Sequence, residues 1–258
     1  MHGAEKFIQD VVREAGDAVL KRFGKDGPHY MKSDHVWDVV TKADLRADKL
    51  ITSRIQKAYP THGIISEESG TTNEGAEYVW IVDPIDGTLN FSKGVPLYGV
   101  MICLVRKGDV ILSAINLPST GELFYAKKGG GAYLNGKRVH CSKTKKLLQT
   151  FGAGSARLEG RAGNFMKNLL KASKVHHIQY ASFFSMAVNV CYIATGRRDW
   201  VVPLAGMIWD FAPAYLILKE SGCKVTDTKG KPWKFGVLEM VAANPTLHKE
   251  ILKLTKDI

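Results

Sequence analysis

Three acidic clusters carry most of the chemistry that this 258-residue chain can do: Ser66-Glu67-Glu68-Ser69, Asp83-Pro84-Ile85-Asp86-Gly87-Thr88, and Trp209-Asp210. Each sets carboxylates beside strongly apolar residues. Burying such acids is costly unless cations meet them, so convergence on hard divalent ions is a natural resolution. In the middle cluster an apolar run over residues 78–82 ends at Asp83, and Pro84 forces a turn that can bring Asp86 back toward the same point. Two carboxylates and the Ile85 carbonyl then face one pocket. Gly87 permits close backbone approach, and Thr88 can open a helix whose first amides receive a phosphate oxygen. A metal pair beside an anion nest is the apparatus of phosphate-ester hydrolysis. Standing alone, an Asp-x-x-Asp would more simply be a turn or an N-cap.

It does not stand alone. The segment from Asp83 to Thr88, with Asn90-Phe91 just after it, resembles motif A of the inositol monophosphatase-like superfamily of Mg-dependent, lithium-sensitive phosphatases. Glu67-Glu68-Ser69 upstream and Trp209-Asp210 downstream agree with that pattern in order and spacing across nearly the whole chain. The resemblance implies a phosphoric monoester hydrolase using Mg2+, about two to three ions per site. By it, Glu67, Asp83 and the Ile85 carbonyl look like ligands of one ion, and Asp83, Asp86 and Asp210 like ligands of a second. A third, weaker ion would sit near Glu67. Glu67, Asp83 and Thr88 look like the residues that hold or activate water, with Asp44 orienting the Thr88 hydroxyl. The Gly87 and Thr88 amides would hold phosphate oxygens, Asp86, Ser185 and Asp210 would face the substrate, and Lys32 resembles the family's flap lysine. The implied reaction is in-line attack of a metal-activated water on phosphorus, with no covalent phosphoenzyme.

Two positions depart from the family pattern. Where many inositol phosphatases read Gly-Ser/Thr-Ala, this chain has Phe183-Phe184-Ser185-Met186, with Phe184 in the place usually given to glycine. The family glutamate that contacts inositol hydroxyls falls on Pro203. Both changes spare the metal ligands and remove polyol contacts, so specificity should be relaxed or redirected. A small phosphorylated polyol or sugar such as inositol monophosphate leads. Fructose 1,6-bisphosphate, histidinol phosphate and 3′-phosphoadenosine nucleotides are the alternatives, Leu89 weighing mildly against the last.

Residues 7–23 place apolar side chains at helical spacing, and Thr41-Lys42-Ala43-Asp44 has the form of a capping box opening a second helix that stops near Pro60. Residues 78–82, 100–105 and 110–117 read as buried strands, and 123–126 with 132–134 as a hairpin. From about Thr150 strands and helices alternate, with helices over 164–172, 185–195 and 209–221 and a last one from Thr246. These elements suggest two joined halves, 1–145 carrying the first two acidic clusters and 146–258 carrying the third. The resemblance adds the fold class: α/β, with an α+β N-terminal half, layered as an αβαβα sandwich with the metal site between the halves. A homodimer is the family's common state.

Composition narrows the classes. At 45% apolar and 24% charged residues the chain is globular, and it has no apolar run of the ~20 residues a membrane helix needs. The opening residues lack a basic stretch followed by an apolar one, which reads as an uncleaved cytoplasmic protein. Four scattered cysteines read as reduced, mostly buried thiols. The net charge of +11 is uneven: residues 1–129 carry 16 − 17 = −1 and residues 130–258 carry 20 − 8 = +12. A run through Lys137, Arg138, Lys143, Lys145 and Lys146 leaves RNA or transcription-complex binding open as a weaker reading, since no aromatic residues interleave with it. His176-His177 reads as a strand edge without an acidic partner, Arg197-Arg198 as a helix end, Trp209 as packing, and Glu68 as either structural or supporting the site.

Overall fold

The computed structural model describes residues 2–35, 38–154, 159–256 and 258. α1 (His2–Leu20) buries Ile8, Val11, Val12, Ala15 and Val19, the stripe expected of an amphipathic helix. The helix stops three residues short of Phe23, because the chain turns through Gly24 at φ 72°; Phe23 still packs on Phe91 and Tyr98 from that turn. A short hairpin follows, β1 (Tyr30–Met31) and β2 (Val39–Val40). α2 (Lys42–Ala58) opens on the capping box anticipated at Thr41 and Asp44.

Next come β3 (Gly63–Ser66), β4 (Gly70–Thr72), β5 (Tyr78–Asp86), the short α3 (Thr88–Ser92), β6 (Gly99–Arg106), β7 (Asp109–Leu117), β8 (Glu122–Lys127), β9 (Gly131–Leu134) and β10 (Lys137–Val139). They form an eight-stranded sheet in the order β10-β9-β8-β7-β6-β5-β3-β4, antiparallel except for the parallel pair β3–β5. The rest is β11 (Phe151–Gly154), α4 (Gly160–His176), β12 (Gln179–Ala181), α5 (Met186–Ala194), β13 (Trp200–Val202), α6 (Ile208–Glu220), β14 (Lys224–Thr226), β15 (Val241–Ala243) and α7 (Pro245–Leu254). Its five strands run in the order β12-β11-β13-β15-β14, with β11 parallel to both neighbours.

The layers follow from what each face buries. α1 and α2 cover one face of the large sheet over a core built on Trp80, Val82, Ile102 and Leu104. α5 and α6 fill the space between the two sheets, where Ile81, Met101, Ile115 and Phe124 from one meet Ala153, Val201 and Ala242 from the other. α4 and α7 close the outer face of the small sheet around Phe165, Trp200 and Leu247. This is an αβαβα sandwich, and its middle helices have the large sheet on one side and the small one on the other.

Two local expectations are corrected. β5 does not end at Val82; it runs through Pro84 to Asp86, because a register shift against β6 between Asp83 and Asp86 takes up the proline that a regular ladder would reject. His176 and His177 are not on a strand edge; they close α4, with His177 as its left-handed C-cap at φ 51°. Cys103, Cys191 and Cys223 are buried free thiols and Cys141 is half-buried. Among the described residues no helix is long and apolar enough to cross a membrane.

Candidate active site

The bulge in β5 turns Asp83 and Asp86 toward the N-termini of the two middle helices. Asp86 is 6% exposed and fully engaged: its carboxylate accepts from the Ser185 hydroxyl, from the Met186 amide at 2.9 Å and from the Ala187 amide at 2.8 Å. Ser185 is the N-cap of α5, so Asp86 takes the place of an anion at that helix start. Asp210, third residue of α6, accepts from the Met207 amide at 2.5 Å. Asp83, 1% exposed, is different, because its Oδ1 has no hydrogen-bond donor.

One oxygen from each of Asp83, Asp86 and Asp210 lies within 4.8 Å of the others. Such crowding is legible in their acidities. Burial first, then Glu67 and Asp86, drive Asp83 well above the ordinary carboxylate range. Burial and Asp86 push Asp210 up to about 8, and burial, helped by the charge of Glu67 and opposed by three hydrogen bonds, leaves Asp86 at about 6. Carboxylates packed this way fit a cation: hard oxygen donors, converging, one with an orphaned lone-pair site and no donor to fill it. The residues present therefore suit a divalent metal.

Glu67 follows β3, its amide bonded to the Val82 carbonyl at 3.2 Å, which sets it alongside the end of β5. Lys32, just past β1, reaches over both acids of the first cluster, 2.7 Å from Glu67 and 2.8 Å from Glu68. Burial opposes the Lys32 charge, but the two glutamates outweigh it and hold its pKa above the ordinary value. Glu68, driven up to about 7 by burial, is thus part of this cluster through Lys32.

Thr88 sits between Asp44 and the β5 turn. Its hydroxyl lies 2.9 Å from Asp44 Oδ1 and 2.7 Å from the Ile85 carbonyl, two acceptors for one proton. Burial raises Asp44 to about 6 in spite of bonds from Thr41 and Thr88. Gly87 precedes α3 at φ 83°, and a Cβ there would lie 2.9 Å from the Leu97 carbonyl and 3.1 Å from Ser185 Cβ. No other residue fits the space.

Sequence reasoning left two supports without a role. Asp48, 5% exposed on α2, accepts from the hydroxyls of Ser66 and Ser69 and so holds both ends of the Glu67-Glu68 turn. The i, i+4 spacing of Asp44 and Asp48 on an otherwise apolar helix face was the signal. Asn90 donates to the Leu97 and Phe183 carbonyls, both at 2.7 Å, fastening the loop after α3 to the segment before α5. Arg197 is a structural cation paired with Glu122, and Arg198 lies over the Phe151 and Phe183 rings. Trp209 packs against the central core.

A family model described as the inositol monophosphatase family matches residues 3–258. The chain belongs to the inositol monophosphatase family. Among similar proteins, a fructose-1,6-bisphosphatase/inositol-1-monophosphatase of Thermotoga maritima is 30% identical over 98% of this chain and 95% of its own length. A protein of Vibrio cholerae named Nus factor SuhB is 36% identical over 98% of this chain and 96% of its own. Human inositol monophosphatase 1 is 32% identical over 96% of this chain and 91% of its own. Among solved structures, the extragenic suppressor protein SuhB of Bartonella henselae superposes with a TM-score of 0.90 at 27% identity, covering 99% of each chain. The Thermotoga maritima inositol monophosphatase gives 0.88 at 29%, covering 98% and 96%. The two solved structures share the sandwich described above.

Proposed function

We propose that this chain hydrolyses phosphate monoesters of small alcohols, of the polyol and sugar class for which its relatives are named, with Mg2+ as cofactor. The observation that carries the reading is the buried Asp83, lacking a donor on Oδ1 and packed against Asp86 and Asp210. Glu67, Asp83 and the Ile85 carbonyl would hold one ion, Asp83, Asp86 and Asp210 a second, and Glu67 a third. Bound there, divalent ions supply Lewis acidity toward water and phosphate. Lys32 competes for Glu67 and must release it when the site fills. Thr88 donates its hydroxyl hydrogen bond to Asp44, which leaves the hydroxyl lone pairs to orient a water held by Glu67 and Asp83. Ser185 and the α5 amides fix Asp86, and the Gly87 and Thr88 amides take phosphate oxygens.

Phosphate release, with Mg2+ and with chelator, from inositol monophosphate, fructose 1,6-bisphosphate, histidinol phosphate and a 3′-phosphoadenosine nucleotide tests the reading. Wild type should turn over at least one ester only with Mg2+, and Asp83→Asn should lose at least about 100-fold in kcat. Equal rates in wild type and Asp83→Asn would remove the assignment. Lithium inhibition, a homodimer and a cytoplasmic location belong to the same reading.

A second reading has its own observation. The +12 excess of residues 130–258 and the likeness to a protein named Nus factor SuhB favour an RNA or transcription-complex partner for the basic half. It predicts RNA binding that weakens steeply with salt.

A further inference from the structure

The acids of the site are held at the starts of α5 and α6, and the residues immediately before each start are apolar and open to solvent. Phe184 precedes the Ser185 cap and is 60% exposed; Met207, whose amide holds Asp210, is 50% exposed. Val95, tied to Asn90 by its own amide, is also exposed, and Asn90 fastens this loop to Phe183. The whole segment 203–207, Pro-Leu-Ala-Gly-Met, carries no hydroxyl, amide or charged side chain. It runs close to the cluster: a Cβ on Gly206 would lie 2.8 Å from Asp210 Oδ2.

Phe184 also has a conformation that opposes its identity. Its φ is 50°, in the left-handed region where a bulky residue is strained, and its carbonyl lies 3.4 Å from where a Gly87 Cβ would be. An exposed aromatic residue held in strain beside a catalytic cluster is an outlier that points to a ligand. A polyol needs side-chain partners for its hydroxyls; Phe183 and Phe184 before α5 and residues 203–207 before α6 offer none, and Ser185 is already bonded to Asp86.

Resting on the phosphatase reading above, we infer that Phe184 and Met207 are specificity residues that select phosphomonoesters whose leaving alcohol carries an aromatic ring, over bare polyol phosphates. The ring stacks on or edges against Phe184 while Met207 supplies an adaptable thioether surface. The phosphate and its metal ligands are unchanged by this choice, so the preference falls on KM more than on kcat.

The test uses 2-phenylethyl phosphate and glycerol 1-phosphate, both primary alkyl esters, so that the face of the leaving group is the main difference between them. With Mg2+ and the full chain, kcat/KM should favour the phenylethyl ester by about tenfold or more, the size of one well-placed aromatic contact. Phe184→Gly removes the ring at a backbone angle that glycine accepts, so it should fold, and it should bring the ratio close to one. Phe184→Trp should keep the preference, and Met207→Ser should reduce it. A wild type that favours glycerol phosphate, or a ratio unmoved in Phe184→Gly, overturns this inference and leaves the phosphatase reading standing. Turnover of neither these esters nor the four named above overturns both.

Discussion

Asp83 and Asp86 are near neighbours in sequence, yet the fold treats them in opposite ways. Asp86 is given a hydroxyl and two helix-start amides, whereas Asp83 Oδ1 is left with none. Without a cation the cluster is a liability. Asp210, ordinarily near 3.8, is held up to about 8 by burial and by Asp86, so the folded chain keeps a proton that the unfolded chain releases. Stability of the metal-free protein therefore falls as pH rises toward 8. His248 works the other way: burial lowers it from 6.5 to about 4, so its contribution is lost as pH falls below 6.5. Between pH 6.5 and 8 the acidic cluster alone sets the slope among these groups. Thermal unfolding in chelator should show Tm falling over that window, and saturating Mg2+ should abolish the fall. Asp210→Asn should flatten the slope in chelator and raise Tm at pH 8 by roughly 2–4 °C, while Mg2+-dependent turnover is lost. A chelated wild type whose Tm climbs from pH 6.5 to 8 would contradict the crowding described here.

At the scale of elements, the small sheet depends on close approaches, the tightest at Gly152. Gly152 in β11 faces Trp200 in β13, and a Cβ on Gly152 would sit 2.0 Å from the indole ring. Trp200 cannot yield, being fully buried between Phe165 and Tyr180 with its Nε1 on the Thr150 hydroxyl. Gly152→Ala should destabilise by about 3 kcal/mol or more, measured by denaturant unfolding, and a change below about 1 kcal/mol would show that the sheet can part there. Much of the element pattern was legible in the chain. The capping box at Thr41, the strands on either side of Lys107-Gly108 and the α5 and α6 starts announce themselves by spacing and cap chemistry. What was not legible depended on partners. Nothing local shows that Pro84 stays within a strand, since the bulge exists only against β6, and nothing local shows that His177 adopts a left-handed cap. The ligand acids were found because their neighbours are unusual; Asp48 and Asn90 went without a role because they hold other segments from a distance.

For the molecule as a whole, the layers could be inferred from the family resemblance, while the strand order of each sheet could not be read from residues that carry only local preferences. Charge is a whole-molecule property that was fully legible. The second half carries +12 while the first is nearly neutral, its acids balanced by an almost equal number of cations. If the basic half meets RNA, affinity should drop by at least about tenfold between roughly 50 and 200 mM salt, read by fluorescence anisotropy, and neutralising Lys143, Lys145 and Lys146 should weaken binding and shallow the slope. Binding that is absent or indifferent to salt would remove that partner.

The Asp86 carboxylate takes its donors from residues 99, 100 and 101 positions later in the chain. On a ribosome, the β5 strand emerges with its two acids long before α5 can cap one of them or α6 can bring Asp210. For that interval the segment has Asp83, the Ile85 carbonyl, Asp86 and the Glu67 turn, without Asp210, with which to hold a cation. Ion capture with the full set of ligands is therefore a late event of synthesis, and a truncated chain ending before α5 would emerge with its acids uncapped and the set incomplete.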